Sequence, residues 1–142
     1  MNREEIVLAA LAAGGENAIF EPVHVQKLLY IIDREAPHLT GGPHFNFAPY
    51  DYGPFDKEVY DTLDRLNCQN TVNIMNNGRY RIYTLNGNGY QVGRNILAQT
   101  SPATQKYLQE LAYWVKSLPF EKLVSAIYSR YPEMRANSVF RG

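Results

Sequence analysis

The chain predicts an α+β fold, mostly helical: a winged-helix-like core of three helices plus a β-hairpin, with additional C-terminal helices. Three observations carry this expectation. Three segments with helical apolar spacing come first. Two segments that alternate with period two follow, separated by Asn76-Asn77-Gly78. Further helical stretches, one of them opened by Pro102, complete the chain. At 142 residues and 45% hydrophobic content, it reads as one domain that can bury a core without disulfides or metal. The core spans about residues 1–98, a helical extension about 101–132, and a tail 133–142.

The elements follow in order. Residues 3–13 form a helix with Ile6, Val7, Ala10 and Leu11 on one face, stopped by Gly14-Gly15. Pro22 starts the second helix, whose Val25, Leu28, Leu29 and Ile32 stand at i, i+3, i+4 and i+7. Ala36-Pro37 ends it, because proline disfavours helix at the residue before it. Residues 38–55 read as a loop with one short strand at Phe45-Asn46-Phe47. Asp56 is the N-cap of a third helix, 57–67, with Val59, Leu63 and Leu66 inward.

The hairpin pairs Thr71–Met75 with Arg79–Tyr83. An Asn77-Gly78 turn forms its tip, since both residues tolerate the positive φ of a tight turn. Residues 86–98 are weakly helical because Gly87, Gly89 and Gly93 lower propensity. Ser101 caps and Pro102 starts a helix with a Leu108, Leu111, Ala112, Val115 stripe. Leu118-Pro119 breaks it, and a last helix shows Phe120, Leu123, Val124, Ile127, Tyr128 and Tyr131. Leu28, Leu29, Leu63, Leu66, Ile82, Leu111 and Ile127 are expected in one core, with the added helices covering the hairpin.

Composition removes several function classes. The single cysteine, Cys68, allows no disulfide framework and no four-ligand zinc set within one chain, and it reads as a buried inert thiol. A reducing cytoplasm is expected. No apolar run nears a membrane span, and the acidic start Met1-Asn2-Arg3-Glu4-Glu5 does not read as a signal peptide. His24, His38 and His44 are scattered without a metal-binding spacing, so no metal site and no cofactor is expected. No nucleophile motif and no phosphate loop occurs, and Gly87-Asn88-Gly89 lacks the third glycine of a dinucleotide site. No catalytic residue is assigned.

Net charge is zero, yet residues 1–71 carry 5 basic and 11 acidic side chains, and residues 72–142 carry 9 and 3. The third helix concentrates the acidity at Glu58, Asp61 and Asp64, with Asp56 at its cap. These carboxylates are either a solvated face or a docking face for a basic partner, and they repel phosphates. Tyr50, Tyr52 and Phe55 are either an exposed recognition patch or rings packed beneath their loop. Phe55 and Tyr52 read as core, and Tyr50 fits either role. Arg79 and Arg81 share one face of the hairpin, opposite Tyr80 and Ile82. There they either block edge pairing or touch a phosphate backbone.

Gln26-Lys27-Leu28-Leu29-Tyr30, then Tyr52-Gly53-Pro54-Phe55 and Val59-Tyr60, resemble the Panacea domain family. The resemblance covers about residues 4–90 and extends through Tyr83-Thr84-Leu85 before a glycine-containing helix. Members of that family are bacterial and phage-associated antitoxins and, in some cases, adaptors for proteolysis. The resemblance implies a non-enzymatic protein-interaction module whose partner is a toxin or a protease substrate; the aromatic and acidic residues read above, Tyr50, Tyr52, Glu58, Asp61 and Asp64, are then the expected partner surface. Asp51 and Asp56 make this corner more acidic than the family pattern. The alternative is a winged-helix regulator that binds DNA through Arg79 and Arg81 and its basic C-terminal half. A homodimer is compatible with either.

Overall fold

The structure is a computed structural model that describes residues 1–140, apart from the side chains of Asn77 and Tyr80. The expectations placed on Arg141, Gly142 and the Tyr80 ring therefore lie outside the described residues. Helices α1 (Arg3–Ala13), α2 (Pro22–Glu35) and α3 (Pro37–Thr40) lead into a small hairpin, β1 (Ala48–Tyr50) and β2 (Gly53–Phe55). Next come α4 (Lys57–Cys68) and a second hairpin, β3 (Val72–Asn77) and β4 (Tyr80–Leu85). Helices α5 (Gly87–Ala98), α6 (Pro102–Ser117) and α7 (Phe120–Arg130) follow, and a 3₁₀ turn spans Pro132–Arg135. The described residues are 61% helical, with two antiparallel hairpins among them, so the expected mostly helical α+β class holds.

The α1 to β4 stretch has the element order of a winged helix. A backbone bridge adds a third strand position: Phe20 N–H donates to Tyr83 O at 2.9 Å and Tyr83 N–H to Phe20 O at 2.8 Å. The buried side chains form one contiguous cluster drawn from every long helix. Residues of the extension, such as Leu108, Val115 and Leu123, share it with α1 and α2.

Helix α1 is buried on all sides, from Ile6 through Ala13, not only along the expected stripe. A helix apolar all round is stable only when surrounded. Its alanines also let neighbours come close, above all α5. A Cβ on Gly93 would lie 2.6 Å from Ala12 Cβ and 2.6 Å from Leu8 O. The glycines that weaken α5 as an isolated helix are what allow it to lie against α1.

Several expectations are corrected. Residues 45–47 form no strand, and the pairing begins at Ala48. It matches Ala48 to Phe55, Pro49 to Pro54 and Tyr50 to Gly53. In the second hairpin Asn77 pairs with Tyr80, so the turn centres on Gly78-Arg79, with Gly78 at φ +70. Glycine first in a two-residue turn is a twist-compatible arrangement. Arg79 thus stands in the turn and not on a strand face. Ile82 is only half-buried. Tyr83 and Leu85 fill the core instead, with Val72 of β3, the partner of Leu85, on the same inward face. Leu111 is half-buried. Cys68, at the last turn of α4, is exposed and not buried. Helix α5 lies against β4, while α6 packs on α1 and α2 and α7 on β2.

Candidate functional site

The two short motifs of the sequence meet in space. Helix α2 starts at Pro22, and the Glu21 N–H donates to His24 Nδ1 at 3.1 Å to close its first turn. One turn on, the Gln26 amide brackets the backbone of Asp56. Its Nε2 donates to Asp56 O at 3.0 Å, and its Oε1 accepts from Asp56 N–H at 3.1 Å. Asp56 caps α4 through Glu58 N–H at 2.9 Å, and its second oxygen accepts Asn46 N–H at 2.7 Å. Lys27 Nζ donates to Pro54 O at 3.2 Å. Gly53 takes φ +100, and a Cβ there would stand 3.3 Å from the Tyr128 ring. The Gln26-Lys27 pair therefore clamps the Tyr-Gly-Pro-Phe corner and sets the angle between α2 and α4.

Aromatic rings radiate from this clamp. Tyr50 stacks on Phe55 at 5.0 Å between centroids, and Phe55 meets the edge of Tyr60 at 5.6 Å. Tyr52 meets Phe120 edge-on at 5.1 Å, and Phe120 meets Phe140 at 6.3 Å. The last described residues fasten the small hairpin from outside. Asn137 Nδ2 donates to Pro49 O at 2.9 Å, Val139 N–H to Asp51 O at 3.0 Å, and Tyr128 OH to Ser138 Oγ at 2.6 Å. The expected tail is thus an ordered strap as far as Phe140.

Between α2, the small hairpin and the start of α7 lies an open cleft of about 590 Å³. Its rim is aromatic: Tyr50 is 53% exposed, Tyr52 45% and Phe120 37%. Tyr52 therefore does not belong to the core, and Phe55 is half-buried beneath Tyr50. Lys27 lines the cleft from within and is only 4% exposed. Burial pushes its ammonium down to about 8, because the amine has lost most of its water. Burial likewise pushes the Tyr60 hydroxyl up to about 12, so this ring stays neutral.

The acidic face of α4 is arranged differently. Glu58 meets Arg3 at 3.2 Å and Arg65 at 3.9 Å, Asp61 meets Lys57 at 3.1 Å, and Asp64 meets Arg81 at 3.3 Å. Each of the three carboxylates has a cation beside it from the same chain. Exposed pairs of this kind are worth about 0–1 kcal/mol each, so they mainly shape the surface potential. Arg81 is held by Asp64, and Arg79 is exposed at the hairpin tip. The histidines are dispersed. His24 Nε2 lies 3.3 Å from Leu118 O, His44 stands 3.4 Å from Asp33, and His38 is exposed. Among the described residues no group of three His, Cys, Asp or Glu could hold a metal ion. No described helix is long and apolar enough to cross a membrane.

The structure brings Tyr50 and Tyr52 to one rim and sets Glu58, Asp61 and Asp64 along α4. It adds Lys27, Tyr60 and Phe120, to which the sequence reading gave no site role. No local signal marked Lys27: α2 reads as one apolar stripe, and only the structure buries it on every side from His24 to Asp33. Phe120 read as the start of a core face, and its place on the rim depends on Tyr52. No family model, no curated protein and no solved structure matches the chain.

Proposed function

We propose that this chain is a non-enzymatic protein-interaction module, an antitoxin or proteolytic adaptor of the Panacea type, that grips its partner at the aromatic cleft. The observation that carries the reading is the rim of Tyr50, Tyr52 and Phe120: three large rings left in solvent on a rigid clamp. Rings supply contact area at low conformational cost, and interface hot spots are enriched in tyrosine. The resemblance of the Gln26-Lys27 and Tyr52–Phe55 motifs supports the same reading, since these are the residues that build the clamp. The acidic α4 face lies next to it, and its paired carboxylates steer encounter more than they hold a partner.

The test is co-expression with the neighbouring reading frame. That product alone should arrest growth, and this chain should relieve the arrest and bind it as a purified protein. Tyr52→Ala with Phe120→Ala should abolish relief and speed dissociation, while Asp61→Lys with Asp64→Lys should only slow association. A folded rim variant that still relieves arrest and binds as tightly as wild type would remove the cleft from the interface. DNA regulation is the competing outcome, and it would show as tight duplex binding that falls steeply with salt.

A further inference from the structure

We propose that the Lys27 amine is a recognition group, and that the cleft takes from the partner protein an aspartate or glutamate side chain flanked by an apolar residue. This rests on the cleft being the partner site. Lys27 is 4% exposed and donates to one acceptor, Pro54 O at 3.2 Å. An ammonium has three N–H donors, so that contact leaves donor capacity unused on a residue that lines the cleft. Among the described residues no carboxylate forms an ion pair with it. By contrast Arg3, Arg34, Lys57, Arg65, Arg81, Lys106 and Arg130 each have one. These seven paired cations are exposed, where a partner contributes little. The deeply buried one is where a counter-charge matters most, because water does not screen it.

The surroundings specify the rest of the ligand. Tyr52 and Phe120 at the rim, with Phe55 and Tyr60 within, offer apolar contact around a single cationic point. A volume of about 590 Å³ accommodates an acidic side chain and its apolar neighbour. Chain-terminal carboxylates are usually captured by nests of backbone N–H groups. Here the backbone group bonded to the amine is a carbonyl, that of Pro54, which has no N–H of its own. A side-chain carboxylate is the source that fits a lone ammonium.

Three capped peptides test this on the intact chain by amide and aromatic NMR titration. They are acetyl-Phe-Glu-Phe-amide, acetyl-Phe-Gln-Phe-amide and the free acid of the glutamine peptide. The glutamate peptide should shift signals of Tyr50, Tyr52 and Phe120 and bind about tenfold or more tighter than its glutamine counterpart, the weight of one charge-assisted hydrogen bond. Lys27→Met should bring the two to equal affinity. Equal binding of the glutamate and glutamine amides by the wild-type protein would overturn the proposal while leaving the aromatic cleft as a docking site. Tighter binding of the free acid would overturn the side-chain assignment in favour of a chain end. Absence of binding by all three overturns it as well. The growth-relief assay with the rim variant decides separately whether the cleft binds the partner at all.

Discussion

Replacing Lys27 with methionine should stabilise the protein near neutral pH and flatten its response to alkali. The folded state holds this amine with its pKa lowered from 10.5 to about 8, by burial. Between those two values the unfolded chain binds more protons than the folded one, so stability rises with pH across that window. Below the folded value the whole cost of burying the charge is present; above the unfolded value it is gone. A difference of this size corresponds to about 3 kcal/mol, of which about 2 kcal/mol is recovered between pH 7 and pH ~9.5. Lys27 is nearly inaccessible, so solvent screening removes little of this. Higher pH is uninformative, because Tyr60, Tyr83 and Tyr131 have raised pKa values in the folded state and lower stability as free tyrosines ionise. The variant loses the hydrogen bond to Pro54 O, a loss of about 1 kcal/mol, and keeps a flexible unbranched stem in place. The assay is urea unfolding followed by far-ultraviolet circular dichroism at several pH values from 7 to ~9.5. Wild type should gain stability with pH, whereas Lys27→Met should start higher and rise less, the remaining rise coming from Lys116, whose amine burial also pushes down. A flat wild-type profile would refute the reasoning, since it would mean that water reaches the amine.

Three further outcomes are expected. Gly93→Ala should destabilise by about 1–3 kcal/mol in urea unfolding, because the new methyl meets Ala12 and the Leu8 backbone; a gain in stability would show that helix propensity outweighs that contact. Leu29→Ala should cost about 2–5 kcal/mol, since the side chain is 2% exposed within the common core, and a loss below ~1 kcal/mol would contradict that burial. Mobility-shift titration with short duplex DNA near physiological salt should reveal no complex tighter than ~10⁻⁷ M, because Lys57, Arg65 and Arg81 already face carboxylates on or beside α4.

Local signals in the sequence determined most of the elements. The Pro22 start, the Asp56 and Ser101 caps and the proline breaks needed only neighbouring residues, and the helices begin and end where those residues stand. Period two placed the second hairpin, but not which parity faces inward. That choice came from tertiary packing: Leu85 and Tyr83, whose backbone pairs with Phe20 more than sixty residues away, join the common core in place of Ile82. The glycines of α5 read locally as weakness, and only the closeness of α1 turns them into a requirement. The cleft lies furthest from sequence reasoning. Its clamp joins Gln26 and Lys27 to Pro54 and Asp56, and its rim joins Tyr52 to Phe120. Each residue is ordinary in its own segment, and both the exposure of the rings and the isolation of the amine arise only when the three segments are packed together.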